Sequence, residues 1–292
     1  MKNCDCFSVI GGDIRQIYIA NQLAEEGCKV LSLGFDDTHH FHSSVRHAHT
    51  VQEAVAESGC VILPMPLSDD SKTIWTPLSQ KTFSLAEVFA GATPSKLLFG
   101  GKISPRLLEE AEGRGLKLFD YLCREEMAVL NAVPTAEGAL QIAMEQTKHT
   151  IFGSRCLVCG YGRIGKVLAD MLKALGAKVT VSARKYSDFA WITTRGLTPM
   201  KSDDIKTRAG RFDLIFNTVP HLLFPESVLR ILKTDVCLID LASKPGGVDF
   251  YAAEQLDVNC IWALSLPGKV APRTAGDVIL GAIKNMIEEE NM

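Results

Sequence analysis

The chain has 292 residues, of which 47% are hydrophobic and 22% are charged, and its formal net charge at pH 7 is −3. This length and composition can bury a substantial core and favour two domains. A weakly acidic chain gives no reason to expect nucleic acid as a partner, and no apolar run approaches the ~20 residues of a membrane-spanning helix. No charged-then-apolar leader precedes the first strand-like run, so we expect a cytoplasmic protein.

Apolar runs of strand length alternate with amphipathic segments of helix length along almost the whole chain. This alternation is typical of parallel sheets connected by crossover helices. The predicted strands are 7–10, 29–33, 60–63, 97–100 and 117–119 in the first half, and 155–159, 178–182, 213–217, 236–241 and 258–261 in the second. We therefore expect the α/β class, with two Rossmann-like, doubly wound parallel-sheet domains and an interlobe cleft.

The boundary between the domains is predicted at a helix. The segment Thr135–Thr147 follows Pro134, and Thr135 is placed to cap the helix start. A second helix closes the chain. The predicted division is an N-terminal substrate domain at 1–130, an interdomain helix at 131–150 and a cofactor domain at 151–271, with a C-terminal helix at 272–292 packing near the first domain.

Clustered histidines and cysteines raise the question of a metal site. Five of the seven histidines lie within 39–49, but no neighbouring cysteine or helical HExxH spacing accompanies them. Cys156 and Cys159 have CxxC spacing, yet a separation of three within one strand sends the two side chains to opposite faces. We therefore predict no metal, and we expect the histidines in a solvated loop.

The segment "CGYGRIGKVLADMLKALGAKVTVSARK" joins a strand, a glycine-rich turn, a helix and a second strand. In such a unit the first glycine permits the tight turn, the second lets a pyrophosphate approach the backbone, and the third lets the helix pack on the strand. Gly160, Gly162 and Gly165 occupy these three positions, and the helix N-terminus faces the phosphates. This context favours a dinucleotide over the alternative, a turn without a ligand.

The end of the second strand distinguishes NAD from NADP. An acidic residue is expected there for NAD, because it binds the ribose hydroxyls. Ala183 stands in its place, and Arg184 and Lys185, with Ser182 as a hydroxyl donor, could hold the 2′-phosphate of NADP. We predict NADP, with NAD as the alternative; a solvated basic pair at a strand end is the simpler explanation of the two cations.

Two later strands, in "DLIFNTVP" and "LIDLAS", should also end at the cofactor. Ordinary strand-end turns would explain both segments without a ligand. His221 could reach substrate, but a structural polar role explains it better. The predicted cofactor-binding residues are Gly160, Tyr161, Gly162, Arg163, Ile164, Gly165, Ser182, Ala183, Arg184, Lys185, Asn217, Thr218, Val219, Pro220, Leu241 and Ser243.

The N-terminal segment "VIGGDIRQ" looks like a degenerate copy of the glycine motif. Gly11 fills the first position, but Asp13 and Gln16 fill the other two. A carboxylate at the closest approach to a pyrophosphate is electrostatically unfavourable, and Gln16 would obstruct the packing. We therefore assign this domain to the substrate.

Six motifs together closely resemble the A-subunit family of dipicolinate synthase from spore-forming bacteria. They occur in one order along nearly the whole chain and are "GGDIRQ" (11–16), "NAVPTAEG" (131–138), "CGYGRIG" (159–165), "NTVP" (217–220), "DLASKPGGVDF" (240–250) and "LPGKVAPRTAG" (266–276).

The resemblance implies an NADP-dependent oxidoreductase that acts on the CH–CH group of a dihydrodipicolinate-type compound and forms dipicolinate during sporulation, on a branch from lysine biosynthesis. It also implies that the partner is the flavoprotein-like B-subunit of dipicolinate synthase, and further implies a homo-oligomer, the mother-cell cytoplasm, and the two-lobed architecture of 2-hydroxy-acid and alanine dehydrogenases. The alternatives are a reductase or dehydrogenase of another cyclic imine or 2-oxo acid, and a non-catalytic NADP-binding scaffold for the B-subunit.

A planar dicarboxylate needs cations or helix N-termini, and the proton released with the hydride needs an acceptor. We predict Glu137 as the base, with Asp13 as the second choice, although Glu137 could equally be a first-turn acid that favours the helix dipole. Lys244 completes the predicted catalytic pair as a cation for a substrate carboxylate. The predicted substrate-binding residues are Asp13, Arg15, Gln16, Thr135, Lys269, Arg273 and Thr274.

Overall fold

The computed structural model describes residues 5–36 and 39–290. The chain divides into two compact units, the first formed by Met1–Leu130 with Ala271–Met292 and the second by Asn131–Val270. Among the described residues, no helix is both long and apolar enough to span a membrane.

The first unit contains a six-stranded sheet with the order β3-β2-β1-β4-β5-β6, in which all neighbours are parallel. This is the doubly wound order of a Rossmann fold. The strands are β1 Cys6–Ile10, β2 Lys29–Leu33, β3 Val45–His47, β4 Cys60–Ile62, β5 Leu97–Gly100 and β6 Lys117–Asp120. The first five helices are α1 Ile14–Glu25, α2 Val51–Ala56, α3 Leu85–Gly91, α4 Pro105–Gly113 and α5 Glu125–Leu130.

The second unit repeats this topology, with a parallel sheet in the order β12-β11-β10-β7-β8-β9. Its strands are β7 Arg155–Cys159, β8 Lys178–Ala183, β9 Thr198–Lys201, β10 Leu214–Asn217, β11 Cys237–Asp240 and β12 Cys260–Trp262. Its helices are α6 Ala132–Gln146, α7 Arg163–Ala174, α8 Tyr186–Thr194, α9 Ile205–Arg208, α10 Glu226–Leu229, α11 Phe250–Gln255 and α12 Leu266–Val270. The predicted α/β class with two doubly wound parallel sheets is confirmed.

The last helix, α13 Pro272–Glu290, returns to the first unit and packs on α1. It buries an apolar face that includes Ile279, Ile283 and Ile287 in the core of that unit. Gly276 lies so close to α1 that an added Cβ would stand 2.9 Å from the backbone oxygen of Arg15. The chain therefore completes its first sheet domain only after the second has been built.

The predicted strands do not include β3 and β9, which occupy the same edge position in the two sheets. Each is short and largely exposed, with the burial of one side chain, Val45 or Met200, as its main apolar signal. Such strands pair on one side only and do not need a long apolar run. His47 is exposed, as the sequence predicts, but it lies in strand β3 and not in a loop, and its Nδ1 is 2.7 Å from Ser32 Oγ.

Helix α6 begins three residues before the predicted start. Thr135 is therefore not its cap: it lies within the first turn, where its hydroxyl donates to the Asn131 carbonyl at 2.7 Å. Pro134 is tolerated because the backbone N–H groups of a first helical turn have no partner within the helix, so a proline there removes no hydrogen bond. The helix packs on α7 and α12, within the second unit.

Cys156 and Cys159 face opposite sides of the second sheet, in separate core clusters. Burial raises the pKa of both thiols to about 12, so they stay protonated at neutral pH. Within the described ranges, no three His, Cys, Asp or Glu side chains are grouped as metal ligands.

Candidate cofactor site and active site

The glycine-rich turn between β7 and α7 places its three glycines in different environments. Gly160 has φ +97°, and a Cβ there would stand 2.6 Å from Thr218 Oγ1. A Cβ on Gly165 would collide with the Gly160 carbonyl oxygen, so this residue lets α7 pack against the turn. Gly162, at the N-cap of α7, faces open space. That space is where a pyrophosphate would approach the backbone.

A cavity of about 740 Å³ opens beside this turn, at the carboxyl ends of β7, β8 and β10. Ligands of doubly wound sheets bind at this edge, next to the point where the strand order reverses. The volume falls within the range of small-molecule and cofactor sites. Its lining residues are Gly160, Tyr161, Gly162, Ser182, Ala183, Arg184, Lys185, Asp188, Ser202, Thr218, Val219, Pro220, His221 and Leu223.

The end of β8 gives the cavity a basic rim. Ala183 is buried at the strand end, whereas Arg184 and Lys185 are exposed and have no carboxylate partner among the described residues. Asp188, in the first turn of α8, and Ser202, after β9, line the same cavity. Neither residue is among the predicted site residues. Asp188 lies beyond the strand end that carries the dinucleotide signal, and Ser202 follows an edge strand that was not predicted.

Two buried hydroxyls of the lining have no oxygen or nitrogen partner for a hydrogen bond among the described groups. They belong to Tyr161 and Ser182, which are 7% and 0% exposed, and the second of them has only the Cys159 thiol beside it. Burial raises the pKa of Tyr161, which keeps its hydroxyl a donor at neutral pH. An unpaired buried polar group costs about 1–3 kcal/mol, so a polar ligand in this cavity could relieve the cost. Together with the open space at Gly162, these groups fit a dinucleotide.

Asn217 and Asp240 form a buried network behind the cavity. They are register partners on β10 and β11, and Asn217 Nδ2 donates to Asp240 Oδ1 at 2.8 Å. Asp240 also accepts from the backbone amides of Ala242 and Gly247, at 3.0 and 2.7 Å. Asn217 in turn bonds both backbone groups of Val219, a lining residue. Asp240 therefore fixes the loop 241–247 and supports the 217–220 turn.

Asn217 is among the predicted cofactor-binding residues, and Asp240 is not. The sequence feature that indicates Asp240 is a carboxylate at the end of the apolar strand β11, because a carboxylate buried there needs hydrogen-bond partners. Of the other predicted cofactor residues, Arg163 and Ile164 begin α7, with Ile164 packed on the core of the second unit. Leu241 is buried and Ser243 is exposed in the loop that Asp240 holds.

The corresponding helix start in the first unit is closed by its own side chains. Asp13 caps α1 and accepts from Arg15 Nε at 2.8 Å and from Arg15 Nη2 at 2.8 Å. Arg15 is 8% exposed and also donates to the Met65 carbonyl at 2.9 Å. Gln16 accepts from the Asp13 amide and fills the space beside Gly12. Three predicted substrate residues are thus brought together, already bonded to one another.

The other predicted substrate and catalytic residues are dispersed. In the second unit, Glu137 is exposed on α6, Lys244 is exposed in the loop 241–247, and Lys269 is exposed on α12. In the first unit, Arg273 and Thr274 are exposed in the first turn of α13. There Arg273 lines a small cavity of about 130 Å³ with residues of α1.

Comparisons with known proteins assign this arrangement to a family. Residues 6–122 match the model of the N-terminal domain of the dipicolinate synthase A-subunit, and residues 123–244 match the NAD binding domain of D-isomer specific 2-hydroxyacid dehydrogenases. The dipicolinate synthase A-subunit of Bacillus subtilis (strain 168) is 32% identical over 286 residues, which cover 97% of this chain and 95% of that protein. The chain belongs to the dipicolinate synthase A-subunit family.

Solved structures agree with this membership. The crystal structure of the dipicolinate synthase A-subunit from Bacillus halodurans has a TM-score of 0.88 and 29% identity, covering 96% of this chain and 97% of that one. D-lactate dehydrogenase from Escherichia coli has a TM-score of 0.61 at 15% identity, covering 98% and 97%, and shows a shared fold alone. The second unit of this family member is therefore a nicotinamide dinucleotide-binding domain of the dehydrogenase type, as in oxidoreductases.

Proposed function

We propose that this member of the dipicolinate synthase A-subunit family is an NADP-dependent dehydrogenase that oxidises a dihydrodipicolinate-type dicarboxylate to dipicolinate. The observation that carries the proposal is the cofactor cavity, where Ala183 replaces the acid typical of NAD sites and two unpaired cations form the rim. The family of the chain supports the substrate class.

When bound, the nicotinamide would accept a hydride from a ring carbon. The substrate C–H bond breaks with its electron pair, a second hydrogen leaves the ring as a proton, and the ring becomes aromatic. Because aromatisation itself favours oxidation, the protein has mainly to orient the ring and keep its carboxylates neutralised. We keep Glu137 as the candidate proton acceptor, and Arg15, Lys244, Lys269 and Arg273 as candidate cations for the carboxylates.

Arg184 and Lys185 would bind the 2′-phosphate of NADP, with the buried Ser182 hydroxyl as a further donor. We expect Arg184→Ala to lower the affinity for NADP by about tenfold or more and the affinity for NAD by much less, since a hydrogen bond to a charged group is worth about 1.5–3 kcal/mol. Titration with both nucleotides measures this. Lys206→Ala, an exposed cation outside the cavity, is the control; equal losses for NADP and NAD in Arg184→Ala would remove the 2′-phosphate role.

The reaction is tested by following reduced-nicotinamide absorbance with the cyclic intermediate of the lysine pathway, with and without the B-subunit. We expect NADPH to form and dipicolinate to accumulate in equal amounts. Binding of NADP without turnover in either mixture would contradict the enzyme and favour a cofactor-binding scaffold for the B-subunit. In the active enzyme, Glu137→Gln should slow turnover without changing NADP binding; unchanged turnover would exclude Glu137 as the base.

A further inference from the structure

A second cavity, of about 470 Å³, lies at the opposite edge of the second sheet. It is lined by the first residues of β7, β8 and β9, namely Arg155, 178–180 and 198–200, and by parts of the segment 208–212. Because these strands are parallel, their first residues all lie at the amino-terminal end of the sheet, and the cofactor cavity lies at the carboxyl-terminal end. The two cavities share no lining residue, although Thr180 and Met200 of this one lie only about 7 Å along the chain, at about 3.3 Å per residue, from Ser182 and Ser202 of the other. This second cavity, here called the basic cavity, is therefore separate from the cofactor site.

Positive charge is concentrated in the basic cavity. Arg155 and Lys178 are direct register partners on neighbouring strands, and Arg208 and Arg211 approach from the segment after β9. Like charges directly opposite each other in a sheet destabilise it. In the part of the chain that the structure describes, Lys178 and Arg211 have no carboxylate within ion-pairing distance.

The nearby carboxylates are already paired. Asp204 lies 3.5 Å from Arg208, and Asp213 bonds Lys233 and the Arg155 amide. The cavity thus keeps an excess of positive charge in a chain whose formal net charge is −3. A cleft of one charge sign concentrates counter-ions of the other sign, and arginine forks match carboxylates and phosphates.

The floor of the basic cavity is apolar. Met200 and Phe212 line it, are 4% and 6% exposed, and belong to the same core cluster of the second unit. Two hydroxyls, from the register partners Thr180 and Thr198, stand side by side on the wall. An apolar floor with a cationic rim fits an organic anion better than a free inorganic ion.

We propose that the basic cavity binds a small organic dianion, a flat apolar ring that carries two carboxylate or phosphate groups. The ring lies on Met200 and Phe212, and the anionic groups pair with Lys178 and Arg211. The site does not depend on the reaction proposed above, because it shares no residue with the cofactor cavity.

The test is calorimetric titration of the full chain with benzene-1,3-dicarboxylate, benzoate and inorganic phosphate. We expect saturable binding of the dicarboxylate, weaker binding of benzoate with one anionic group, and weaker binding of phosphate without a ring. Arg211→Gln and Lys178→Gln should each lower the affinity for the dicarboxylate by about tenfold or more, as expected for the loss of a hydrogen bond to a charged group. Lys206→Gln, which removes an exposed charge outside the cavity, should change the affinity for the dicarboxylate by less than about twofold.

Two results would overturn the proposal. One is the absence of saturable dicarboxylate binding, or binding that Lys206→Gln weakens as much as Arg211→Gln. The other is loss of the titration signal in protein saturated with NADPH, since that result would place the probe in the cofactor cavity. All three altered residues are exposed, and circular dichroism verifies that each variant is folded.

Discussion

The glycines of the cofactor turn differ in what would meet an added side chain, so some are needed for folding and others for ligand binding. Gly165 is restricted by the Gly160 carbonyl within the protein, whereas Gly162 faces space that only a ligand would fill. Both roles could be predicted from the sequence, because the strand, turn and helix that define them are local. Asp188 and Ser202 could not, since they enter the cavity from a later helix and from an unpredicted edge strand.

We expect Gly162→Ala to retain the melting temperature of the parent protein and to lose dinucleotide affinity, because the added methyl occupies only the pyrophosphate approach. Gly165→Ala should lower both, because its methyl meets backbone. Thermal unfolding and nucleotide titration distinguish the two variants. Gly281→Ala, at a helical position with nothing within 4 Å of the added Cβ, is the matched control and should be neutral or slightly stabilising. A large loss of stability in Gly162→Ala would contradict this assignment.

At the scale of elements, the sequence was most informative where strands and helices bury a face. The central strands of both sheets were predicted to within one or two residues, because most of their residues are apolar and buried. The edge strands β3 and β9 were missed because one paired edge requires little burial. The start of α6 was misplaced because Pro134 reads as a boundary but fits within a first turn.

Helix α13 should contribute strongly to the stability of the first unit. Ile283 is fully buried in the core cluster that also contains Phe7 and Ile62. Its replacement by alanine should cost about 2–5 kcal/mol, the range for large-to-small changes in a core. Urea unfolding measures the loss, and Ile14→Ala, at a position 41% exposed, provides the control with a much smaller effect. Equal losses in the two variants would show that α13 is not packed as described.

For the whole molecule, the division of the chain between the two units depends on the order of its segments. The first unit is interrupted by the second, and its sheet is covered on one side by a helix that lies about 140 residues further along the chain. The sequence indicated this return, because a C-terminal amphipathic helix follows the last strand of the second unit. It could not define the division of the core, which depends on contacts between distant residues.

We expect the fragment 131–270 to fold and to bind NADP within about threefold of the full chain, because it contains a whole sheet and every residue that lines the cofactor cavity. Circular dichroism and nucleotide titration of the fragment measure both properties. The fragment 1–130 should instead be unstable, since it leaves exposed the apolar surface that Ile279, Ile283 and Ile287 cover. Joining 271–292 to it by a flexible linker should restore cooperative unfolding, because it returns the missing side of the core. A stable, monomeric 1–130 fragment would show that α13 is dispensable, and an unfolded 131–270 fragment would show that the second unit requires the first.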